Sequence, residues 1–166
     1  MSRTVIPWPD RRLRMAAEPV DEINDDIQAI WEDMIAVMEA MPGVGLAATQ
    51  LGITKRLAVV DASQERGQVI RMANPKVLHS SGKMNIHDEA SPNLPGVSAK
   101  VSRPRAVTVA FTDAKGQKRE QDFVGLWATS VQHQIDHLNG RMYFDRLSKV
   151  KRDMLLKRAK KISVQL

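Results

Sequence analysis

His133 and His137, four residues apart in QHQIDHLNG, are the part of this 166-residue sequence best suited to chemistry. On a helix that spacing puts both rings on one face with Cβ atoms roughly 5 to 6 Å apart, close enough to share a tetrahedral metal ion. It equally suits two partly buried structural histidines, and taken alone it leaves both readings open. Asp136 lies beside the pair. The chain has no cysteine, which excludes disulfides, thiolate nucleophiles and thiolate metal ligands.

A helix must present these side chains, and its limits are written in the sequence. Gly125 opens LWATSVQHQIDHLNG and Gly140 closes it in a C-cap position. Leu126, Thr129 and Ser130 precede His133 by seven, four and three residues, so they share its face. An earlier helix is expected from Asp21 to Met41, where Ile23, Ile27, Ile30, Trp31, Met34, Ile35 and Met38 recur at three- and four-residue steps until Pro42 and Gly43. Before it, Pro7, Pro9 and Pro19 predict an extended lead-in.

RLAVVDAS and QVIRMANP read as strands separated by a turn around Glu65 to Gly67. AVTVAFTDAKGQKREQDFVG reads as a hairpin, and HSSGKMNIHDEASPNLPG as a long loop. A last helix is expected from about Ser148 to Ile162, with Val150, Met154, Leu155, Ala159 and Ile162 along one side. The class is α+β: short mixed and antiparallel sheets around a central helix that carries H-x-x-x-H, plus a basic C-terminal helix. Strands and helices alternate too little for a doubly wound fold.

With 43% hydrophobic and 27% charged residues, the chain fits one globular domain. Its net charge of +6 is localised. From Lys149 to Lys161 stand seven basic residues (Lys149, Lys151, Arg152, Lys157, Arg158, Lys160, Lys161) and one acid, Asp153, while the rest of the chain balances 18 of each sign. A neutral domain over residues 1–148 and a basic helix or tail over 149–166, packed on it or extending from it, are therefore expected. No apolar run has secretory or membrane-spanning length, so the expected location is cytoplasmic, with no membrane and no DNA partner.

Three separated segments carry a family resemblance. GVGLAATQ (Gly43 to Gln50), EASPNLPG (Glu89 to Gly96) and QHQIDHLNG (Gln132 to Gly140) match, in order and without gaps, the three signature motifs of peptide deformylase. The second motif reads E-G-C-L-S in the family, then an apolar residue and Pro-Gly; the third reads Q-H-E-x-D-H-L-x-G. PDRRLRMAAEPV, Asn74-Pro75, RPRAVTV and YFDRLS extend the similarity over roughly residues 5–148.

The resemblance implies removal of the formyl group from the N-terminal formyl-methionine of new polypeptides. It implies a divalent ion (iron, zinc or nickel) held by the motif-two cysteine and the two motif-three histidines. The glutamate after the first histidine would move the proton, while the motif-one glutamine and a motif-two backbone N–H would stabilise the oxyanion. Carried over by position, Gln50, His133, His137, Asp136 and the supporting acid Glu89 are present.

Three positions depart. Ser91 stands at the cysteine ligand, Pro92 at the oxyanion N–H donor and Gln134 at the catalytic glutamate. A serine hydroxyl stays neutral at pH 7 and binds zinc or iron poorly, so the ion should be weakly held or absent. Proline has no N–H to donate, and glutamine cannot accept and return a proton. Losing a base costs about 10² to 10⁴ in rate and an oxyanion donor about 10² to 10³.

The expectation is a deformylase-like protein whose hydrolysis is lost or greatly reduced. One alternative is a metallohydrolase in which His87 or Glu89 replaces the missing ligand and Glu89 or Asp136 serves as base. Another is a ribosome- or RNA-binding module that uses the basic helix on phosphates. Thr129 and Ser130 predict a wetter side-chain pocket than the family's, and His87 reads as a solvated loop histidine.

Overall fold

Asn24 decides where the first helix begins, because its side chain accepts the backbone N–H of Ile27 at 3.0 Å and caps the free end. The computed structural model describes residues 3–165; Met1 and Ser2 of the lead-in and Leu166 of the tail lie outside the described residues. Helix α1 spans Asp25–Ala40, so it starts later than the expected Asp21, and it buries Ile27, Ile30, Trp31, Met34 and Met38. The lead-in is not wholly extended. A 3-10 turn at Arg11–Arg14 interrupts it, with Asp10 accepting the Arg12 N–H at 2.9 Å.

A five-stranded antiparallel sheet has the order β1 (Gly45–Ala47), β2 (Leu57–Val60), β3 (Ile70–Ser80), β6 (Ala106–Thr112) and β7 (Lys118–Val124). Strand β2 is LAVV because both its faces are covered. Leu57 and Val59 pack with α1, while Val60 joins Met72, Val109, Ala128, Val131 and Ile135 on the other side. The β6–β7 hairpin forms as expected and turns at Asp113 to Gly116.

The segment expected as a long loop contains a strand. Strands β4 (Met84–Glu89) and β5 (Ala99–Pro104) pair antiparallel in a separate sheet. Met84 and Ile86 point outward, 51% and 65% exposed, while His87 and Glu89 point inward. The usual alternation is inverted because the inward face meets a polar site, so the pattern does not look like a half-buried strand.

Helix α2 covers Leu126–Leu138 between Gly125 and Asn139, as expected, and every residue from Ala128 to Leu138 is buried. Ala128, Val131 and Ile135 face the sheet. The opposite face is polar yet covered by β4, β5 and the loops, a placement that needs a partner for each polar atom.

Helix α3 spans Lys149–Gln165 and packs on the domain along part of the expected side. Leu155 and Ala159 are buried with Tyr143 and Phe144, and Leu156 and Ile162 are partly buried there. Val150 and Met154 are 69% and 65% exposed. At 100° per residue, Met154 points about 100° away from Leu155, so one helix face cannot bury both. Among the described residues, no helix is long and apolar enough to cross a membrane.

Gly140 closes α2 at φ +77°, and a Cβ there would lie 2.5 Å from the backbone oxygen of Arg14. Gly140→Ala is therefore expected to cost about 2 kcal/mol or more, from left-handed strain plus displaced backbone. Thermal melting followed by circular dichroism measures this, and a cost under about 0.5 kcal/mol would contradict the packing.

Candidate active site

The polar face of α2 brings His133, Gln134, Asp136 and His137 under strands β4 and β5. Glu89, at the end of β4, is 5% exposed and fixes the first histidine. His133 Nδ1 lies 2.7 Å from Glu89 Oε1. An ionised carboxylate only accepts, so that ring nitrogen carries a proton and His133 Nε2 is turned toward the helix. There it meets His137 Nε2 at 3.1 Å.

Arg103 on β5 holds this corner together. Its guanidinium, 1% exposed, donates to Glu89 through Nε (2.6 Å) and Nη2 (2.8 Å) and to Asp136 through Nη1 (2.9 Å). Arg146, from the 3-10 turn Tyr143–Arg146, adds two further bonds to Asp136. Burial alone would raise the Glu89 carboxyl, but the hydrogen bonds from Arg103 and His133 outweigh it and hold it below its usual range. Burial pushes Asp136 the same way, and Arg146 and Arg103 overcome it. Burial, then the nearby charge of His133 and Arg103, holds His137 well below its ordinary 6.5 and keeps it neutral.

The motif-one and motif-two residues form a second network. Gln50 Nε2 donates to Ser91 Oγ (3.2 Å) and to Asn93 Oδ1 (2.9 Å), while its Oε1 accepts the Ala47 N–H (2.9 Å). The Gln50 amide is thus turned toward Ser91 and Asn93. Ser91 Oγ donates in turn to Asn93 Oδ1 at 2.9 Å. Pro92 follows, with no N–H to offer.

These networks flank a cavity of about 540 Å³ whose lining includes Gln50, Ser91, Pro92, His133 and Gln134 with Leu126 at its edge. Gln134 is 4% exposed and its Oε1 has no protein partner. A Cβ at Gly45 would come within 2.5 Å of Gln134 Nε2 and of Ser130 Oγ, so a larger residue where β1 passes α2 would displace those side-chain ends.

The expected wetter pocket is modified by pairing. Thr129 and Ser130 do line the cavity, but Ser130 Oγ donates to the Val44 oxygen (2.8 Å) and Thr129 Oγ1 bonds His87 Nδ1 (2.9 Å). His87 is therefore a half-buried strand residue, not a solvated loop one. His87 is bonded to Thr129 through Nδ1, and Glu89 is held by Arg103 and His133.

For a divalent ion the donor set does not fit. The two imidazole Nε2 atoms converge at 3.1 Å, a spacing that suits two ligands of one ion, but the third position is a neutral hydroxyl engaged with Gln50 and Asn93, so the set has fewer than three good ligands. Among the described residues, no group of three or more His, Cys, Asp or Glu is placed to hold a metal.

The polypeptide deformylase family model matches residues 2–153. The peptide deformylase of Rhizobium meliloti (strain 1021) is 41% identical over 158 residues, covering 94% of this chain and 91% of that one. The chain belongs to the polypeptide deformylase family. The crystal structure of a peptide deformylase from Legionella pneumophila superposes with a TM-score of 0.92 at 35% identity, covering 99% of this chain and 97% of the other. That of Ehrlichia chaffeensis in complex with actinonin gives 0.90 at 32% identity, covering 97% and 98%. The α+β deformylase fold is thereby shown.

Sequence reasoning missed four residues that shape this deformylase-family site. Arg103 and Arg146 sit in RPRAVTV and YFDRLS, where an arginine reads as a surface residue until its acids are known. Tyr143 stacks on His133 with ring centres 6.0 Å apart, and burial, with the Glu89 charge, pushes its phenol up to about 12. Asn93 was visible, since it replaces the serine of motif two.

Two outcomes are expected. Arg103→Ala leaves the buried Glu89 carboxylate without its main partner and Asp136 with Arg146 alone, and should cost about 3 to 5 kcal/mol in denaturant unfolding. Stability should also fall on acidification in two stages. Below the ordinary histidine value of 6.5 the unfolded chain takes a proton at His137 that the folded one refuses. Below the ordinary values of 4.5 for Glu89 and 3.8 for Asp136 the same holds for those carboxyls, whose contribution is lost as pH falls through their lowered folded values. Melting midpoints between pH 8 and about 2 that rise on acidification would contradict both assignments.

Proposed function

We propose that this chain keeps the deformylase fold and a pocket for formylated peptide ends but hydrolyses the formyl group slowly or not at all. The observation that carries this reading is that, among the described residues, no buried carboxylate is free to act as base at the cavity. Glu89 and Asp136 are ionised and locked by arginines, and Gln134 cannot take a proton. At the oxyanion corner Pro92 lacks a donor and the Gln50 amide is turned toward Ser91 and Asn93.

Binding has better support than turnover. A cavity of about 540 Å³ is within the ordinary range for a small ligand, and the Ehrlichia chaffeensis relative accommodates actinonin in the same fold. Gln134, a neutral amide with a free acceptor, suits an intact amide N–H.

A second reading concerns the partner. Helix α3 carries a strong excess of basic residues, and its exposed Val150 and Met154 stand among them. Ribosomal RNA phosphates are the anionic surface that suits such a helix in a cytoplasmic protein of this family.

Turnover of a formyl-methionyl peptide, with iron, zinc or nickel supplied, should be at least about 10³-fold below that of the Rhizobium meliloti relative, while calorimetry still detects binding. Turnover within tenfold of the relative would sink the reading. For the partner, the exposed Lys157, Lys160 and Lys161 changed together to glutamate should abolish ribosome co-sedimentation without altering the melt. Deleting 149–166 is a poorer test, because it removes Leu155 and Ala159 from the core. Association that ignores both the charge reversal and added salt excludes this surface.

A further inference from the structure

Asn93 is 1% exposed and uses every hydrogen bond its side chain can make. Its Oδ1 accepts from Ser91 Oγ and from Gln50 Nε2, both at 2.9 Å. Its Nδ2 donates to the backbone oxygens of Ile6 (2.6 Å) and Gln50 (3.0 Å). The main chain reinforces the joint, with Trp8 N–H donating to the Asn93 oxygen (2.8 Å) and Ile6 N–H to the Gln50 oxygen (3.0 Å). Three segments distant in sequence meet on one side chain: the lead-in, the turn that carries Gln50 and the loop that carries Ser91.

The serine that the family motif has here offers one donor, so it could not serve Ile6 and Gln50 together. The asparagine therefore does something new. It absorbs the hydroxyl at the position of the missing metal ligand and the amide of the oxyanion glutamine, and it ties both to the N-terminal segment. What the site lacks in metal ligands it regains in internal hydrogen bonds, each contributing in a dry environment where an unpaired group would be costly.

We propose that Asn93 is a positioning residue that closes Ser91 and Gln50 into a brace, so that this side of the site is held together without a metal ion and is held against acquiring one. This deepens the reading of lost hydrolysis, yet it fails separately: activity assays test the chemistry, whereas stability and metal affinity test the brace.

The wild-type protein should melt at the same temperature, within about 1 °C, with a chelator or with added zinc, because nothing that binds only the folded state is removed or supplied. Zinc affinity, measured by competition with a chromophoric chelator, should rise little in Ser91→Cys alone and at least about tenfold further in Ser91→Cys with Asn93→Ser. Asn93→Ser alone should lower the melting midpoint by about 5 °C or more.

A residue that merely stabilised the loop would lower the midpoint but leave the zinc affinities of the single and double variants equal, and that result would overturn the proposal. So would a wild-type midpoint that drops on chelation. The chelation arm uses the unaltered protein, so the proposal stays exposed even where a variant fails to fold.

Discussion

One buried guanidinium orders this site. Arg103 lies between Glu89 and Asp136 at 1% exposure, and the three charges come from β5, β4 and α2. Taking them out of water is expensive, and only close, well-directed hydrogen bonds make it tolerable. Each side chain therefore accepts a narrow range of positions. Glu89, so held, orients His133, and Tyr143 stacks on the same ring. The separate β4–β5 sheet is fastened to the central helix by this network more than by apolar contact.

The network explains how the chemistry could change while the scaffold stayed. Ser91, Pro92 and Gln134 stand outside it, so replacing the family residues there breaks no buried ion pair. The replacements also share a direction. A thiolate and a carboxylate, each charged and in need of an ion, give way to a hydroxyl and an amide, which can be buried neutral. Without a strong metal ligand set, a second carboxylate beside Glu89 would be a like charge in a dry place. Glutamine removes that conflict at nearly the same shape.

The basic helix obeys a different constraint. Leu155 and Ala159 anchor it in the cluster under Tyr143 and Phe144, and Ile162 rests against Gly96 of the cavity-lining loop at 3.1 Å from where a Cβ would stand. Its lysines are free to face solvent because so few of its residues serve the core. The tail is thus part of the domain while most of its surface remains available.

The amino-acid sequence determined the elements whose local pattern matches their surroundings: α1 with its apolar stripe, the β6–β7 hairpin, and α2 between Gly125 and Gly140. It also determined the identity of His133, His137, Ser91, Pro92 and Gln134, since ordered motifs place these without coordinates. Strand β4 stayed illegible because its inward residues are polar, and the true seam of α3 because five apolar residues spread around a helix of which one face packs. Only the tertiary structure decided that His87 answers to Thr129, that Arg103 binds two acids, and that Asn93 joins Gln50 to Ser91. Those facts depend on hydrogen-bond partners brought together from distant parts of the chain, and no periodicity along a single segment records which donor will meet which acceptor.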